Sequence, residues 1–337
     1  MWYVGLDVHS RSWTYVVLDE GGNKLRTRSG RGRWTKLLRE LKEIKHPFAI
    51  CFEASTGYGW LYDRLAKMAR RVVVAHPGRL RLIFATKRKN DRIDANKLAM
   101  LLKLDAVPMA YVPGLEVRAW RRFIEHRHAM VAERTRVKNR IRALLRSQHA
   151  QAPKGLWSRR GLAWLGALEF ADEMDAVQRD LLMNELESLE ERIARAEAML
   201  NKVGREDAGV QLLMTIPGVG PRTAEAVMAY VADPARFARS SQMASYFGLV
   251  PSQHQSGGTN RLGRITREGP RTVRKLLVEA AWQAIRRSPK MGAFYERICR
   301  GDTDRRKIAV VATAHYLVRI MHGMLSTGEV WRGSSAA

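Results

Sequence analysis

The chain has 337 residues, enough for two or three domains, and 46% of them are hydrophobic, enough for packed cores. Lys and Arg number 59 against 33 Asp and Glu, so the formal net charge is +26 at pH 7. This charge predicts salt-dependent binding to a polyanion such as nucleic acid, although a ribosome-associated protein shares the trait.

Membrane and secreted proteins are excluded on composition. No run reaches the roughly 18 uninterrupted apolar residues of a membrane span, and the N-terminus lacks the basic and apolar segments of an export signal. The two cysteines, Cys51 and Cys299, are far apart and fit a reducing cytoplasm. We therefore expect a cytoplasmic protein.

The first 112 residues alternate strand-like and helix-like segments. Three β-rich segments separated by turns predict an antiparallel meander, followed by helix, strand, helix, strand and helix. The predicted strands span 2–8, 12–19, 24–29, 47–52 and 72–75, and the helices span 33–45, 60–70 and 91–104. This element order is typical of an RNase H-like α/β domain, which we place at residues 1–112.

The middle of the chain, residues 113–205, is helical. A basic helix over 115–149 ends before Pro153. In the next helix, apolar residues are spaced alternately by four and three, which predicts a heptad seam. The seam consists of Leu182, Leu186, Leu189, Ile193, Ala196 and Leu200. It predicts a coiled coil, formed either as a hairpin with the basic helix or between two chains.

Residues 206–325 predict a mostly α C-terminal domain with glycine-punctuated turns. Its most apolar segment, 310–325, contains three basic side chains and predicts a packed helix. Residues 326–337 are expected to form a tail, disordered from Gly333 onward.

Four carboxylates stand at the ends of predicted elements. Asp7 interrupts the apolar pattern of the first strand, where a charged side chain needs a partner. Glu53 follows the fourth strand, which lies beside the first in an RNase H-like sheet, so the two carboxylates meet at one edge. Asp91 and Asp94 are three residues apart near a helix start and share one face.

Clustered carboxylates repel one another, and a bound cation makes such a cluster favourable. Oxygen ligands suit Mg²⁺ or Mn²⁺, and two such ions can stabilise the attacking and leaving oxygens of a phosphodiester. Simpler explanations exist for single residues: Asp91 fits a helix N-cap, and Asp94 fits a solvated charge. The ordered set on this element order favours the metal site.

Segments in both halves of the chain resemble the DEDD-type insertion-sequence transposases, a family that includes Piv-type DNA invertases and bridge-RNA-guided recombinases. The N-terminal matches are GLDVH at 5–9, FEASTG at 52–57 and NDRIDA at 90–95. The C-terminal matches are IPGVG at 216–220, YFGLVP at 246–251, QSGG at 255–258 and RLGRI at 261–265. One departure is Glu-Ala-Ser-Thr-Gly after the second carboxylate, where the family pattern is Glu-Ala-Thr-Gly. It affects the shape of the loop more than its chemistry.

The resemblance implies a RuvC-like RNase H fold in which Asp7, Glu53, Asp91 and Asp94 bind two Mg²⁺ or Mn²⁺ ions. It also implies that Ser256 is a nucleophile that forms a transient phosphoserine link to DNA. The implied partners are donor and target DNA, a structured guide RNA and further copies of the chain in a dimer or tetramer. The implied setting is a prokaryotic cytoplasm, with the protein on the nucleoid when it binds DNA.

The segment 212–224 predicts a helix-hairpin-helix that binds nucleic acid. Gly218 and Gly220 permit a tight turn whose N–H groups can face a phosphate, and Arg222 follows at the start of the next helix. A plain helix–helix turn is the alternative.

Ser256 lies between His254 and two glycines, and these residues alone favour a flexible polar loop. Its role as nucleophile rests on the resemblance, with His254 as a nearby base. The arginines that follow at spacings of three and four are Arg261, Arg264, Arg267 and Arg271. They predict either a phosphate-contacting stripe on a helix or turn, or a solvated face. His9 lies two residues after Asp7, and we assign no function to it.

The leading hypothesis is a transposase or recombinase in which Ser256 attacks a metal-bound phosphate, within one chain or across two. The second is a metal-dependent nuclease of the Holliday-junction type that uses water, for which Ser256→Ala retains cleavage. The third is a non-enzymatic nucleic-acid-binding protein, for which Asp7→Ala and Glu53→Ala leave function intact.

Overall fold

The computed structural model describes residues 1–83, 90–256 and 258–333. They form two compact units, Met1–Leu115 and Glu116–Ala337. Gly257 of the predicted serine loop and residues 334–337 of the predicted tail lie outside the described residues.

The first unit is built on a five-stranded mixed sheet. Its strands are β1 (Trp2–Val8), β2 (Ser12–Leu18), β3 (Lys24–Arg31), β4 (Phe48–Glu53) and β5 (Arg71–Ala75). The strand order is β3-β2-β1-β4-β5, with an antiparallel meander of β1 to β3 and with β4 and β5 parallel to β1. The predicted elements occur in the predicted order, with one additional short helix after β5, and the predicted pairing of the first and fourth strands is confirmed.

Helices cover both faces of this sheet. They are α1 (Trp34–Lys42), α2 (Tyr58–Leu65), α3 (Pro77–Ile83) and α4 (Asp91–Lys103). Side chains of α1 and α2 form one core with Val4 and Leu6 of β1. On the opposite face, Leu98 and Leu102 of α4 pack against Cys51 of β4. Helix α3, which the sequence pattern does not predict, begins at a proline, a residue suited to a first helical turn.

The second unit is mainly helical. Its helices are α5 (Leu115–Ser147), α6 (Arg159–Gly166), α7 (Glu173–Glu206), α8 (Ala208–Met214), α9 (Pro221–Val231), α10 (Ser240–Tyr246), α11 (Arg271–Arg287), α12 (Pro289–Cys299) and α13 (Arg306–Thr327). Two strands, β6 (Pro251–Ser256) and β7 (Thr259–Ile265), form an antiparallel hairpin.

Helices α5 and α7 pack along the predicted seam. Leu186 and Leu189 of α7 share a core with Val137 and Ile141 of α5. Ion pairs flank this core, with Lys138 Nζ 3.1 Å from Glu190 Oε1 and Arg140 Nη2 3.0 Å from Glu185 Oε1. Leu182, Leu186 and Leu189 of the seam are therefore buried in a core that α5 and α7 of one chain share.

The most apolar late segment packs inside the second unit. The stretch Thr303–Thr327 is long and apolar enough, by length and composition alone, to cross a membrane. In the structure, Ala314, Leu317, Val318 and Met321 are completely buried in the core that α13 shares with α9 and α11. The prediction of a packed helix is confirmed.

The β-hairpin corrects two expectations for residues 251–265. Ser256 pairs with Thr259 at a strand end rather than lying in an open loop. The arginines do not form a helical stripe, because Arg261 and Arg264 lie on β7, where an odd spacing puts side chains on opposite faces. Arg267 adopts a left-handed backbone, with φ 57°, beyond the strand. The physical reason lies in the sequence, since adjacent glycines between two short segments disfavour a continuous helix.

Candidate active site

Strand β1 carries Asp7 on the sheet face that helix α4 covers. Val4, Leu6 and Val8 belong to the core on the opposite face of the sheet. Because side chains alternate along a strand, Gly5 and Asp7 face α4. A Cβ on Gly5 would lie 1.9 Å from the carbonyl oxygen of Ala95 and 2.4 Å from the nitrogen of Ala99. Glycine is therefore required here, since any side chain would push the helix backbone away from the strand.

Helix α4 presents its acidic first turn at this position. Asn90 is the N-cap, and its side chain accepts a hydrogen bond of 2.9 Å from the N–H of Arg92. Asp91 and Asp94 both lie in the first turn, where the helix dipole stabilises negative charge. The N-cap of α4 is Asn90, so helix capping does not explain why an acidic residue stands at Asp91.

Three ligand groups converge at the end of β1. Oxygens of Asp7 and Asp91 and a ring nitrogen of His9 all lie within 4.8 Å of one another. The Asp7 side chain is 17% exposed, and its Oδ1 lies 3.6 Å from His9 Nε2. That separation suits an ion pair but exceeds a hydrogen bond. We call these three residues the β1–α4 acidic group.

Glu53 lies beside this group on the neighbouring strand. Leu6 of β1 pairs with Phe52 of β4, so Asp7 and Glu53 are the next residues along two adjacent parallel strands. Cys51 packs toward α4, and alternation along the strand gives Glu53 the same side of the sheet. Its side chain is exposed.

Two predicted ligands, Glu53 and Asp94, are not part of the closest group among the described residues. Among the described residues, the set with ligand atoms within 4.8 Å of one another does not include Glu53 or Asp94. Asp94 lies three residues after Asp91 in the same helical turn and is partly buried. The structure therefore brings Asp7 and Asp91 together, with Glu53 on the strand next to Asp7 and Asp94 on the same helix as Asp91.

The donor set fits a divalent cation. Two carboxylates at this separation repel each other, and a cation bound by their oxygens removes that repulsion. The oxygens of Asp7 and Asp91 suit Mg²⁺ or Mn²⁺, whereas the nitrogen of His9 is a donor that neither ion prefers. His9 was not assigned from the sequence, although its position two residues after Asp7, where β1 turns into β2, was a usable signal.

Ser256 lies in the second unit, at the exposed end of the β6–β7 hairpin. Residues 253–256 and 258–264 are all exposed, so both strands meet solvent on both faces. The base of the hairpin is fixed, since the N–H of Thr266 donates to the carbonyl of Val250 at 2.9 Å. Arg274 adds Nη1 hydrogen bonds to the carbonyls of Phe247 at 3.1 Å and Glu268 at 2.7 Å.

The predicted glycine turn joins α8 and α9. Gly218 has a φ of +92°, and a Cβ there would lie 2.4 Å from the nitrogen of Ala284 in α11. This glycine is thus required by helix packing. Gly220 precedes the first turn of α9, and no atom lies within 4 Å of its Cβ position among the described residues. The backbone at Gly220 is therefore the part of this turn with room for a phosphate.

Arg222 points into the second unit rather than toward solvent. Its guanidinium donates to Glu225 Oε1 at 2.9 Å and also to Asn201 Oδ1, and the side chain is 17% exposed. Glu225 is 1% exposed, and burial raises the pKa of its carboxyl to about 7. Burial also lowers the pKa of the Arg222 guanidinium. An internal ion pair does not fit the phosphate contact that the sequence predicts for Arg222.

Two family models match the chain. The model described as "Transposase IS116/IS110/IS902 family" matches residues 210–296, which include the glycine turn and the hairpin. A DEDD model of the IS110 type, described as "Transposase", matches residues 4–150, which include the β1–α4 acidic group.

Individual relatives agree with these models. A "Probable family 20 transposase" of Pseudomonas aeruginosa is 33% identical over 258 residues, which cover 72% of this chain and 75% of the relative. The transposase for insertion sequence element IS1111A of Coxiella burnetii is 26% identical, with 98% and 91% covered. The transposase for IS1328 of Yersinia enterocolitica is also 26% identical, with 97% and 98% covered. Both halves of this chain therefore belong to the IS116/IS110/IS902 family of insertion-sequence transposases, enzymes that cleave and rejoin DNA.

Proposed function

We propose that this transposase acts with divalent metal ions held by Asp7, Glu53, Asp91 and Asp94 and with Ser256 as its nucleophile. The observation that carries the proposal is the convergence of Asp7 and Asp91, from a strand and a helix, within 4.8 Å. The strand order β3-β2-β1-β4-β5 supports an RNase H-like, RuvC-like assignment for residues 1–112.

The four carboxylates are proposed to hold two Mg²⁺ or Mn²⁺ ions. Bound ions would polarise the scissile phosphate and stabilise its charge. The chain's own contribution is to fix the ligands: β1 and β4 present Asp7 and Glu53 in register, and α4 presents Asp91 and Asp94 from one turn. The close approach at Gly5 sets the distance between these two sources of ligands.

Ser256 is proposed to exchange one phosphate ester for another. Its Oγ forms a bond to phosphorus while the bond to one deoxyribose oxygen breaks, and that oxygen leaves as a hydroxyl after taking up a proton. The serine proton passes to a base, and His254 supports this role because it lies two residues away on the same face of β6. A hydroxyl of the partner strand then attacks the phosphoserine and restores the serine.

The proposed partners are donor and target DNA and a structured guide RNA, which the resemblance to bridge-RNA-guided recombinases and Piv-type invertases implies. The net charge of +26 supports polyanion binding. The exposed arginines Arg261, Arg264 and Arg267 support contacts to phosphates, and the open backbone at Gly220 supports another. Such contacts position nucleic acid without reading its sequence, and base pairing with a guide would supply that reading.

The proposed working form is a dimer or tetramer, so that two DNA sites are handled together. Its parts are the catalytic domain (1–112), a basic helix with a coiled-coil hairpin (113–205), a helix-hairpin-helix and serine domain (206–325) and a tail (326–337). The ion pairs and shared core between α5 and α7 support the hairpin in the middle part.

The test uses the full chain, Mg²⁺, RNA transcribed from the non-coding end of its element, and end-labelled donor and target DNA. Denaturing gels report cleavage, joining and label that remains on the protein. We expect a protein-linked label that disappears in Ser256→Ala and in Asp7→Ala. Ser252→Ala, a serine on the same strand, serves as the matched control and retains the label.

Cleavage without a protein-linked label, unchanged in Ser256→Ala, would overturn the serine step and favour the water-using nuclease. Reactions without RNA test the guide separately: joining at the same sites without RNA would overturn that part alone.

A further inference from the structure

We propose that a groove next to the β1–α4 acidic group binds one unpaired nucleobase, which stacks on Trp60. The inference rests on the proposed function only in that the substrate is nucleic acid. The groove has a volume of about 610 Å³ and lies in the first unit. Its walls include His9, Ser10, Trp34, Ser55, Thr56 and Trp60.

The groove adjoins the β1–α4 acidic group through His9. The loop after β1 supplies His9, which also belongs to the acidic group. The loop after β4 supplies Ser55, two residues beyond Glu53. The same two strands therefore deliver the carboxylates to the site and their following loops to the groove. A nucleotide whose phosphate lies at the carboxylates has its base, or that of its neighbour, at this groove.

Two tryptophans give the groove an aromatic wall. The ring centroids of Trp34 and Trp60 lie 6.1 Å apart at an angle of 42°. Trp34 is held in place, since its Nε1 donates to the carbonyl of His9 at 2.7 Å. Gly57, with a φ of +82°, leaves room for the ring, because a Cβ there would lie 3.1 Å from it. A ring fixed before binding loses little conformational entropy on contact with a ligand.

Trp60 itself is partly exposed to solvent. Its side chain is 42% exposed, while Leu61 and Leu65 of the same helix fill the core. A single exposed apolar residue is ordinary on protein surfaces. Here it is accompanied by a second aromatic ring, and the Arg64 guanidinium lies 5.3 Å from the centre of the Trp60 ring. An aromatic surface beside cations is the combination that binds single-stranded nucleic acid, through stacking and backbone charge.

The polar rim also fits a base. The hydroxyl-bearing residues Ser10, Thr35, Ser55 and Thr56 line the groove together with Arg33. Hydroxyl groups can donate or accept hydrogen bonds and so tolerate different base edges. Stacking is likewise independent of sequence, because every base has a π-face. Bases inside a duplex have no free face, so the groove favours an unpaired nucleotide.

The experiment measures stacking without chemistry. Single-stranded DNA oligonucleotides carrying 2-aminopurine at successive positions are titrated with the full chain in EDTA, and fluorescence and affinity are recorded. We expect quenching at one or two adjacent positions. Trp60→Ala and Trp60→Leu should abolish the quenching and weaken binding about tenfold, in line with the loss of one stacked base. Trp60→Phe should retain most of both, and a duplex oligonucleotide should show no quenching.

Trp2→Ala is the matched control. Trp2 stacks on His46, with ring centroids 4.7 Å apart, in a groove at the opposite end of β1. Unchanged quenching in Trp60→Ala, or an equal loss in Trp2→Ala, would overturn the inference. The outcome is separable from the catalytic proposal: cleavage without stacking refutes the groove, and stacking without a protein-linked label refutes the serine mechanism.

Discussion

The carbonyl oxygen of Ala95 lies where a side chain at Gly5 would begin, 1.9 Å from the ideal Cβ position. This contact joins α4 to β1 two residues before Asp7 and one helical turn after Asp91. The separation of the two carboxylates therefore depends on the absence of a single methyl group.

Gly5→Ala should consequently damage the metal site without altering any ligand. Overpacking of this kind costs about 1–3 kcal/mol of stability, and displacement of α4 should weaken metal binding. Urea denaturation and calorimetric titration with Mn²⁺ measure the two effects. Gly114→Ala is the control, because no described atom lies within 4 Å of its Cβ position. Wild-type metal affinity in Gly5→Ala would contradict the positioning role of this contact.

Glu225 should make the stability of the second unit depend on pH. Burial raises its pKa from 4.5 to about 7, against the opposing influence of Arg222 and Arg127 and with a smaller contribution from Glu197. The folded state therefore binds a proton that the unfolded state releases between these values. The stability from this group is complete below pH 4.5 and is lost as pH rises through 7.

Glu225→Gln should remove this dependence. One pKa unit corresponds to about 1.4 kcal/mol. The free energy of unfolding of the variant should therefore exceed that of wild type by up to about 3 kcal/mol at pH 8 and equal it near pH 4.5. Urea unfolding across this range measures the difference. Glu279→Gln, at a carboxylate 58% exposed and paired with Lys275 at 3.7 Å, should follow wild type. If the free energies of unfolding of Glu225→Gln and wild type changed with pH in parallel, the buried carboxyl would not titrate in this range.

Two classes of arginine should differ in the salt dependence of DNA binding. Arg261→Ala, on the exposed strand β7, should reduce the slope of log affinity against log salt by about one. Arg222→Ala should leave the slope unchanged and instead lower stability, because it leaves Glu225 buried without its partner. Binding titrations at several salt concentrations, with thermal unfolding alongside, separate the two. A reduced slope in Arg222→Ala would restore the phosphate contact predicted from the sequence.

The apolar seam of α7 should stabilise the fold of a single chain by packing against α5. Leu186 is 2% exposed and packs against α5, so Leu186→Ala should cost about 2–5 kcal/mol. Leu181, on the same helix, is 64% exposed, and Leu181→Ala should change stability by less than about 0.5 kcal/mol. Denaturation at two protein concentrations provides the check. A large, concentration-dependent loss in Leu181→Ala would instead indicate that this outer face pairs with another chain.

The fold of the first unit was largely predictable because its signals are local. Apolar alternation marks β1, and the positions of β4 and α4 follow from their own patterns and boundaries. The predicted strand order then places Asp7 and Glu53 near each other on adjacent strands. The proximity of Asp7 and Asp91 was predicted only as a consequence of the fold family. The distance itself depends on the packing at Gly5, which no local pattern reveals.

Other features depend on neighbours distant in sequence or on weak patterns. The hairpin was missed because strand β6 is polar on both faces, which leaves no apolar alternation to find. The two glycines between β6 and β7 were the available signal. The inward orientation of Arg222 was signalled by Glu225 at i+3, a spacing that favours ion pairs on a helix. Nothing in the sequence indicates that this pair is buried, since the burial comes from other helices.

The solvent-exposed hairpin has a kinetic consequence. A two-stranded ribbon without a second layer is marginal in water, and this one buries too little apolar surface to offset the entropy of ordering its backbone. Its base is held to the second unit, whereas Ser256 and Gly258 at its described end meet solvent. Under the proposed mechanism, a bound partner surface would supply the missing packing, so docking would also hold the serine still. Brief encounters with unsuitable DNA would then end before attack, and residence time would become a requirement of the proposed reaction.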